Sequence, residues 1–209
     1  MAPTLTVAVF TFNRPWFLKN FLGSFSTNCP GVRLIIFDDR STQLRQKILL
    51  WRLRNQGVEV RQPATEHPRL RQSRGGLHQN MQEILGDPGI DTDFLLMTQD
   101  DTQFFRSLRP EDLSFWLEKF IASPSPFAQI TLGKHGDLLC SCPNRPHNLK
   151  HQGFSDICLM DLKRLRKTGW EFRLTERENE LQAEAKYGPM LISRRPVLHY
   201  LPWAPTHPR

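Results

Sequence analysis

The sequence predicts an α/β protein with a mostly parallel central sheet flanked by helices. Three observations predict it. Short runs rich in Val, Ile, Leu and Phe alternate with segments of helical periodicity in the order βαβαβαβα from Leu5 to Phe120. Two of those runs end abruptly in adjacent carboxylates, Asp38-Asp39 and Asp100-Asp101, at the strand ends where open α/β sheets hold ligands. The 209 residues, 39% hydrophobic and 23% charged, suit one soluble domain with its own core, and no apolar run approaches the ~20 residues of a membrane helix.

Residues 5–11 (LTVAVFT) read as a buried strand. Asn13-Arg14-Pro15 breaks it, and Pro15 suits a first helical turn. Leu18, Phe21, Leu22 and Phe25 recur at i, i+3, i+4 and i+7, so this helix packs one face on the sheet. Residues 32–37 (VRLIIF) form the second strand. Ser41 or Thr42 caps a second helix expected to turn Leu44, Ile48, Trp51 and Leu53 inward. Gly57 stops it before a short strand at 58–60, and residues 63–71 are loop. Gly75-Gly76 precedes a helix with Leu77, Met81, Ile84 and Leu85 on one face. After the turn at 86–89 comes the acidic strand Phe94-Leu95-Leu96-Met97-Thr98-Gln99-Asp100-Asp101. Pro110 opens a helix carrying Leu113, Trp116, Leu117 and Phe120. Beyond it, strands are expected at 127–132, 153–160 and 197–201, a short helix at 161–168 and a polar helix at 171–187, before an extended tail at 202–209.

The net charge of +7 is unevenly placed. Residues 40–74 hold nine basic residues and two acids, which accounts for all of it. Such a span suits an anionic partner: nucleotide phosphates, a polyanion such as modified DNA, or an acidic membrane surface; a solvated helix face is the plainer reading. Four cysteines do not make a disulfide scaffold in a chain of this length, and the N-terminal residues lack the pattern of a secretory signal, so a cytoplasmic setting is expected. There is no Gly-x-x-x-x-Gly-Lys-Ser/Thr loop and no Gly-x-Gly-x-x-Gly after the first strand, which excludes the common NTPase and dinucleotide patterns.

Adjacent strand residues point to opposite sides, so one of Asp100 and Asp101 can hold a divalent cation while the other binds a ligand hydroxyl. Opening a turn or capping a helix is the alternative for such a pair.

Four stretches resemble the nucleotide-sugar-dependent family 2 glycosyltransferases of the GT-A fold. Thr6 to Pro15 resembles the opening strand and its Asn-Arg-Pro turn, and Leu34 to Thr42 the hydrophobic run with Asp-Asp-X-Ser-Thr. Arg74 to Asn80 resembles the Arg-X-X-X-X-X-Asn helix start, and Gln99-Asp100-Asp101-Thr102 the acidic metal motif. They fall in the family's order and cover residues 4–105. The resemblance implies one GT-A-like domain, with a nucleotide-sugar half at 1–105 and an acceptor half at 106–201. It implies transfer of a sugar from a nucleotide-diphosphate donor to an acceptor hydroxyl, inverting and dependent on Mn²⁺ or Mg²⁺. Thr11, Phe12, Asn13, Arg14, Asp38, Asp39, Arg74 and Asp100 would line the donor, and Asp101 would hold the metal. Gln99 departs from the family's Asp-X-Asp.

Inverting transfer needs a carboxylate base on the acceptor hydroxyl. The region similar to the family's late Glu-Asp pair is 175–188, where Asn179 replaces the usual Asp. Glu178 is the first candidate, Glu176 the second and Asp156 the reserve. His199 falls where some GT-A enzymes supply a further metal ligand. Gln99 and Asn179 together also suit a GT-A-like binding module without turnover. Finally, Cys140, Cys142, His147 and His151 place four zinc-competent side chains close together, though Cys-x-Cys is tight for a structural site.

Overall fold

A computed structural model describes residues 3–64, 76–132, 153–193 and 195–200. The chain runs β1 (Leu5–Thr11), α1 (Pro15–Asn28), β2 (Arg33–Asp38), α2 (Leu44–Asn55) and β3 (Glu59–Arg61). It continues with α3 (Leu77–Gly86), β4 (Phe94–Gln99), β5 (Thr102–Phe104) and α4 (Pro110–Ile121). The second half holds β6 (Phe127–Gln129), β7 (Thr131–Leu132), β8 (Cys158–Asp161), α5 (Leu162–Lys167), α6 (Glu176–Tyr187), β9 (Leu191–Ile192) and β10 (Leu198–Tyr200).

Seven strands form the main sheet in the order β3-β2-β1-β4-β8-β6-β9, and β5-β10-β7 form a second sheet. β8 pairs antiparallel with both β4 and β6, and the remaining pairs of the main sheet are parallel, so β8 alone runs against the rest. The expected mostly parallel sheet is therefore present.

β1 is buried along its whole length because it lies between β2 and β4 with both faces covered. Its alternate residues serve two cores. Val7 and Val9 join Ile36, Leu96, Leu18, Phe21 and Phe120 on one side of the sheet. Ala8 and Phe10 join Ile35, Phe37, Leu95, Met97, Met81 and Ile84 on the other. This strict period of two makes the sheet's register unambiguous. It aligns Thr11 with Asp38 on β2 and Phe10 with Gln99 on β4, so both acid pairs meet at one edge.

The structure corrects several expectations. In α2 the inward residues are Gln46, Leu50 and Leu53, whereas Leu44, Ile48 and Trp51 are 71%, 42% and 61% exposed. Gln46 sets that rotation, because its amide donates to the buried Thr11 hydroxyl at 3.0 Å. Leu117 of α4 is also exposed. The run 127–132 divides into two strands that join different sheets. Only Cys158–Asp161 of the expected strand 153–160 is extended in the sheet, and the polar helix begins at Glu176 rather than 171. The four zinc-competent residues, Arg74 and the tail at 202–209 lie outside the described residues. Among the described residues no helix is long and apolar enough to cross a membrane.

Candidate active site

The site forms where β4 turns into β5. Asp100 is 2% exposed. Its Oδ2 accepts from the Thr11 hydroxyl at 2.6 Å. Arg14 donates from one nitrogen to Asp100 Oδ1 at 3.3 Å and to Asp101 Oδ2 at 3.2 Å. Burial pushes the Asp100 carboxyl up to about 7, the Asp101 charge adding to it while the Thr11 hydroxyl and Arg14 pull the other way. Asp101 Oδ1 is buried and has no hydrogen-bond partner among the described residues. A carboxylate oxygen out of water with no donor is costly, and a hard cation taking oxygen ligands would satisfy it. The residues present therefore fit a divalent ion at Asp101.

Among the described residues no group of three or more metal-competent side chains gathers, and His199 lies on β10 opposite Gln103 of β5. Its Nδ1 pairs with the Tyr200 carbonyl oxygen at 2.8 Å, and its ring lies 5.7 Å from that of Phe105. Strand alternation sends its neighbour Tyr200 the other way. Burial first, and then the charges of Asp101, Glu176 and Asp156, hold the Tyr200 phenol well above its ordinary range. Across β10 and β5, Tyr200 pairs with Thr102, the residue after Asp101.

The acid pair after β2 divides its work. Asp38 is buried and accepts from the Ser41 backbone at 3.1 Å, the Ser41 hydroxyl at 2.5 Å and Gln62 at 2.9 Å. It builds the turn. Asp39 is half-buried and accepts from the Gly76 backbone N–H at 3.1 Å, so it faces the start of α3. Asn13, with φ 54°, accepts on Oδ1 from the backbones of Thr42 and Gln43 at 2.8 and 2.9 Å. That carboxamide caps the entry to α2, whose N-cap residue is Gln43 and not the expected Ser41 or Thr42 and which has no side-chain cap of its own. Thr11 is buried between Asp100 and Gln46, while Phe12 stands 44% exposed at the rim.

In the second half of the chain, Glu178 closes a capping box with Thr175. Its Oε2 accepts from the Thr175 backbone at 3.0 Å and the Thr175 hydroxyl at 2.9 Å. Asn179 is fully buried and ties Arg173 and Thr175 into the turn before α6. Its amide therefore has a structural task that an Asp could not fully meet, because it donates to two carbonyls. Glu176 is exposed at the first turn of α6, and its Oε1 lies 3.4 Å from the Asp156 backbone N–H. Asp156 Oδ1 is 2.7 Å from His78 Nε2, and His78 Nδ1 is 3.0 Å from the Leu174 carbonyl oxygen. Burial lowers the His78 proton affinity, but the bond and charge of Asp156, the Leu174 carbonyl and the Glu176 charge outweigh it and raise the pKa above its ordinary 6.5. His78 and Tyr200 escape a motif reading. The signals for them were indirect: His78 lies in the Arg74 to Asn80 stretch, and Tyr200 is the strand neighbour of His199.

No protein-family model and no curated protein matches this sequence. Solved structures do. S. aureus TarS 1-349 superposes with a TM-score of 0.62 at 14% identity, over 94% of this chain and 60% of that one. Its complex with UDP gives 0.63 at 14% identity, with the same coverage. The mannosyltransferase PcManGT from Pyrobaculum calidifontis, in complex with GDP-Man and Mn²⁺, gives 0.60 at 11% identity, over 92% of this chain and 57% of that one. Both are GT-A-type glycosyltransferases. The fold of this chain is therefore the GT-A fold of nucleotide-sugar transferases, spanning about three-fifths of the length of those solved chains.

Proposed function

We propose that the chain is a nucleotide-sugar-dependent glycosyltransferase, inverting and divalent-metal dependent, organised as one GT-A-like domain. Fold alone does not carry function. The observation that carries the proposal is the acid pair at the end of β4, where Arg14 bridges Asp100 and Asp101 and Asp101 Oδ1 is buried with no hydrogen-bond partner among the described residues. On the second half of the chain, Glu176 is open to solvent and stands beside Asp156, its Oε1 3.4 Å from the Asp156 backbone nitrogen. The printed partners of the neighbours, UDP for TarS and GDP-Man with Mn²⁺ for PcManGT, support a donor of the same chemical class.

In this reading Asp39, Arg14, Phe12 and Arg74 contact the nucleotide. Asp38, Thr11 and Asn13 shape the edge from beneath, as their hydrogen bonds support. Asp101 would hold Mn²⁺ or Mg²⁺, whose charge would stabilise the diphosphate leaving group. Asp100, tied to Thr11 and Arg14, positions Arg14 across the acid pair. Glu176 is the general base. Its carboxylate takes the acceptor hydroxyl proton as the acceptor oxygen bonds to the anomeric carbon and the sugar–phosphate bond breaks. It takes precedence over Glu178, whose Oε2 closes the cap of α6, because Glu176 stands beside Asp156 with its Oε1 3.4 Å from that backbone nitrogen. It also takes precedence over Asp156, whose Oδ1 is held 2.7 Å from His78 Nε2. The burial of Asn179 as a turn-builder accounts for one of the two departures that suited a binding module without turnover.

The test is donor turnover with and without EDTA in the parent and in Glu176→Gln, Asp156→Asn and Glu178→Gln. Glu176→Gln should lower turnover by ~100-fold or more while keeping donor affinity. Full turnover in Glu176→Gln would move the base elsewhere.

A further inference from the structure

We propose that the α1–α2 flank is a membrane-docking surface for an anionic lipid bilayer. The proposal does not depend on the transfer reaction. It starts from the outward face of α2. Leu44, Ile48 and Trp51 recur at i, i+4 and i+7 and form one stripe. An amphipathic helix normally turns such a stripe into the core; here it faces out, 71%, 42% and 61% exposed. Trp16, near the start of α1, adds a second indole that is 62% exposed. It shares a cleft of ≈ 260 Å³ with Lys19, Arg45, Ile48 and Arg52. The two helices therefore present one continuous apolar ridge.

Cations rim that ridge. Arg45 and Arg52 follow one side of the α2 stripe, and Lys47 and Arg54 the other; all four are exposed. The Lys19 ammonium sits 4.9 Å from the centre of the Trp16 ring. Neither helix contains an Asp or Glu, and none of these five cations makes an ion pair among the described residues. A solvated basic face has no need of exposed Trp, Leu and Ile. A nucleic acid would use the charge and leave the aliphatic stripe in water. An anionic bilayer matches both parts. Indole and aliphatic side chains enter the headgroup boundary, while Arg and Lys reach outward to lipid phosphates. The charge then supplies attraction and the stripe supplies depth.

The experiment is sedimentation with phosphatidylcholine vesicles with and without phosphatidylserine, together with tryptophan quenching by brominated lipid. The parent should bind the phosphatidylserine vesicles and be quenched. Trp16→Ser/Trp51→Ser should lose both signals with unchanged circular dichroism. Arg45→Gln/Arg52→Gln, which leaves every apolar side chain in place, should weaken binding by about 25-fold, or about fivefold per cation. This second variant decides the matter if the first does not fold. No phosphatidylserine-dependent binding by the parent would overturn the proposal. So would a concentration-dependent dimer that Trp51→Ser abolishes, which would assign the ridge to a second copy. Duplex DNA binding lost in the arginine variant but kept in the tryptophan variant, with no vesicle binding, would assign it to nucleic acid.

Discussion

Gln46 shows how one polar residue chooses the face of a helix. α2 carries two apolar sets, Leu44/Ile48/Trp51 and Leu50/Leu53, and periodicity alone favours the longer one. The buried chain from Gln46 through the Thr11 hydroxyl to Asp100 needs Gln46 inside, and the first set turns to solvent. The Thr11 hydroxyl has partners on both sides, so Thr11→Val leaves a buried carboxylate oxygen and a buried amide each one partner short. We expect it to cost ~1–3 kcal/mol in urea unfolding, with Thr11→Ser close to the parent. His78 gives a pH-dependent prediction. Its folded pKa is raised, so its bond to Asp156 stabilises the fold fully below the unfolded value near 6.5 and is lost as pH rises through the raised folded value. Unfolding free energy measured across that window should fall more steeply in the parent than in His78→Gln. Equal slopes would remove His78 from the account.

At the scale of elements, what could be read was whatever depended on neighbours in sequence. β1 matches its apolar run residue for residue, and α1 buries the expected Leu18, Phe21 and Phe25. The start of α6 was misplaced at 171 from general polarity, although Thr175-x-x-Glu178 is a capping-box pattern that sets it at Glu176. What could not be read depended on distant chain. Residues 153–157 have strand-like composition but pass along α6 instead, because Gly153 lies against its backbone. A Cβ there would stand 2.3 Å from the Glu184 nitrogen and 2.6 Å from the Glu180 oxygen. Gly153→Ala should therefore destabilise by ~1–3 kcal/mol through overpacking, as thermal unfolding would show, and a neutral result would mean that α6 can yield. Thr175→Ala removes the cap without touching the acid cluster and should cost ~1 kcal/mol of stability. Turnover measured well below its melting temperature should stay near the parent's.

For the whole molecule, the first half was legible because its paired acids stand at strand ends, and parallel strands bring their ends to one edge. The roles within each pair were not legible. Nothing local distinguishes Asp38, enclosed by Ser41 and Gln62, from Asp39 beside Gly76, or Asp100 on Thr11 from Asp101 with its unpartnered oxygen. The second half was harder, since Asp156, Glu176 and Tyr200 come from three separate segments, placed by the stretch before β8, by α6 and by the second sheet. The central claim is that this GT-A fold uses Asp101 to bind a nucleotide sugar with a divalent ion. Thermal unfolding with a panel of UDP-, GDP-, CDP- and dTDP-sugars, in Mn²⁺ and in EDTA, tests it most directly in the parent and Asp101→Ala. We predict that at least one donor at hundredfold excess over its Kd raises the melting temperature of the parent by about 5–10 °C in Mn²⁺, and that EDTA and Asp101→Ala each abolish the rise. Stabilisation by no donor, or an equal rise in Asp101→Ala, would contradict it.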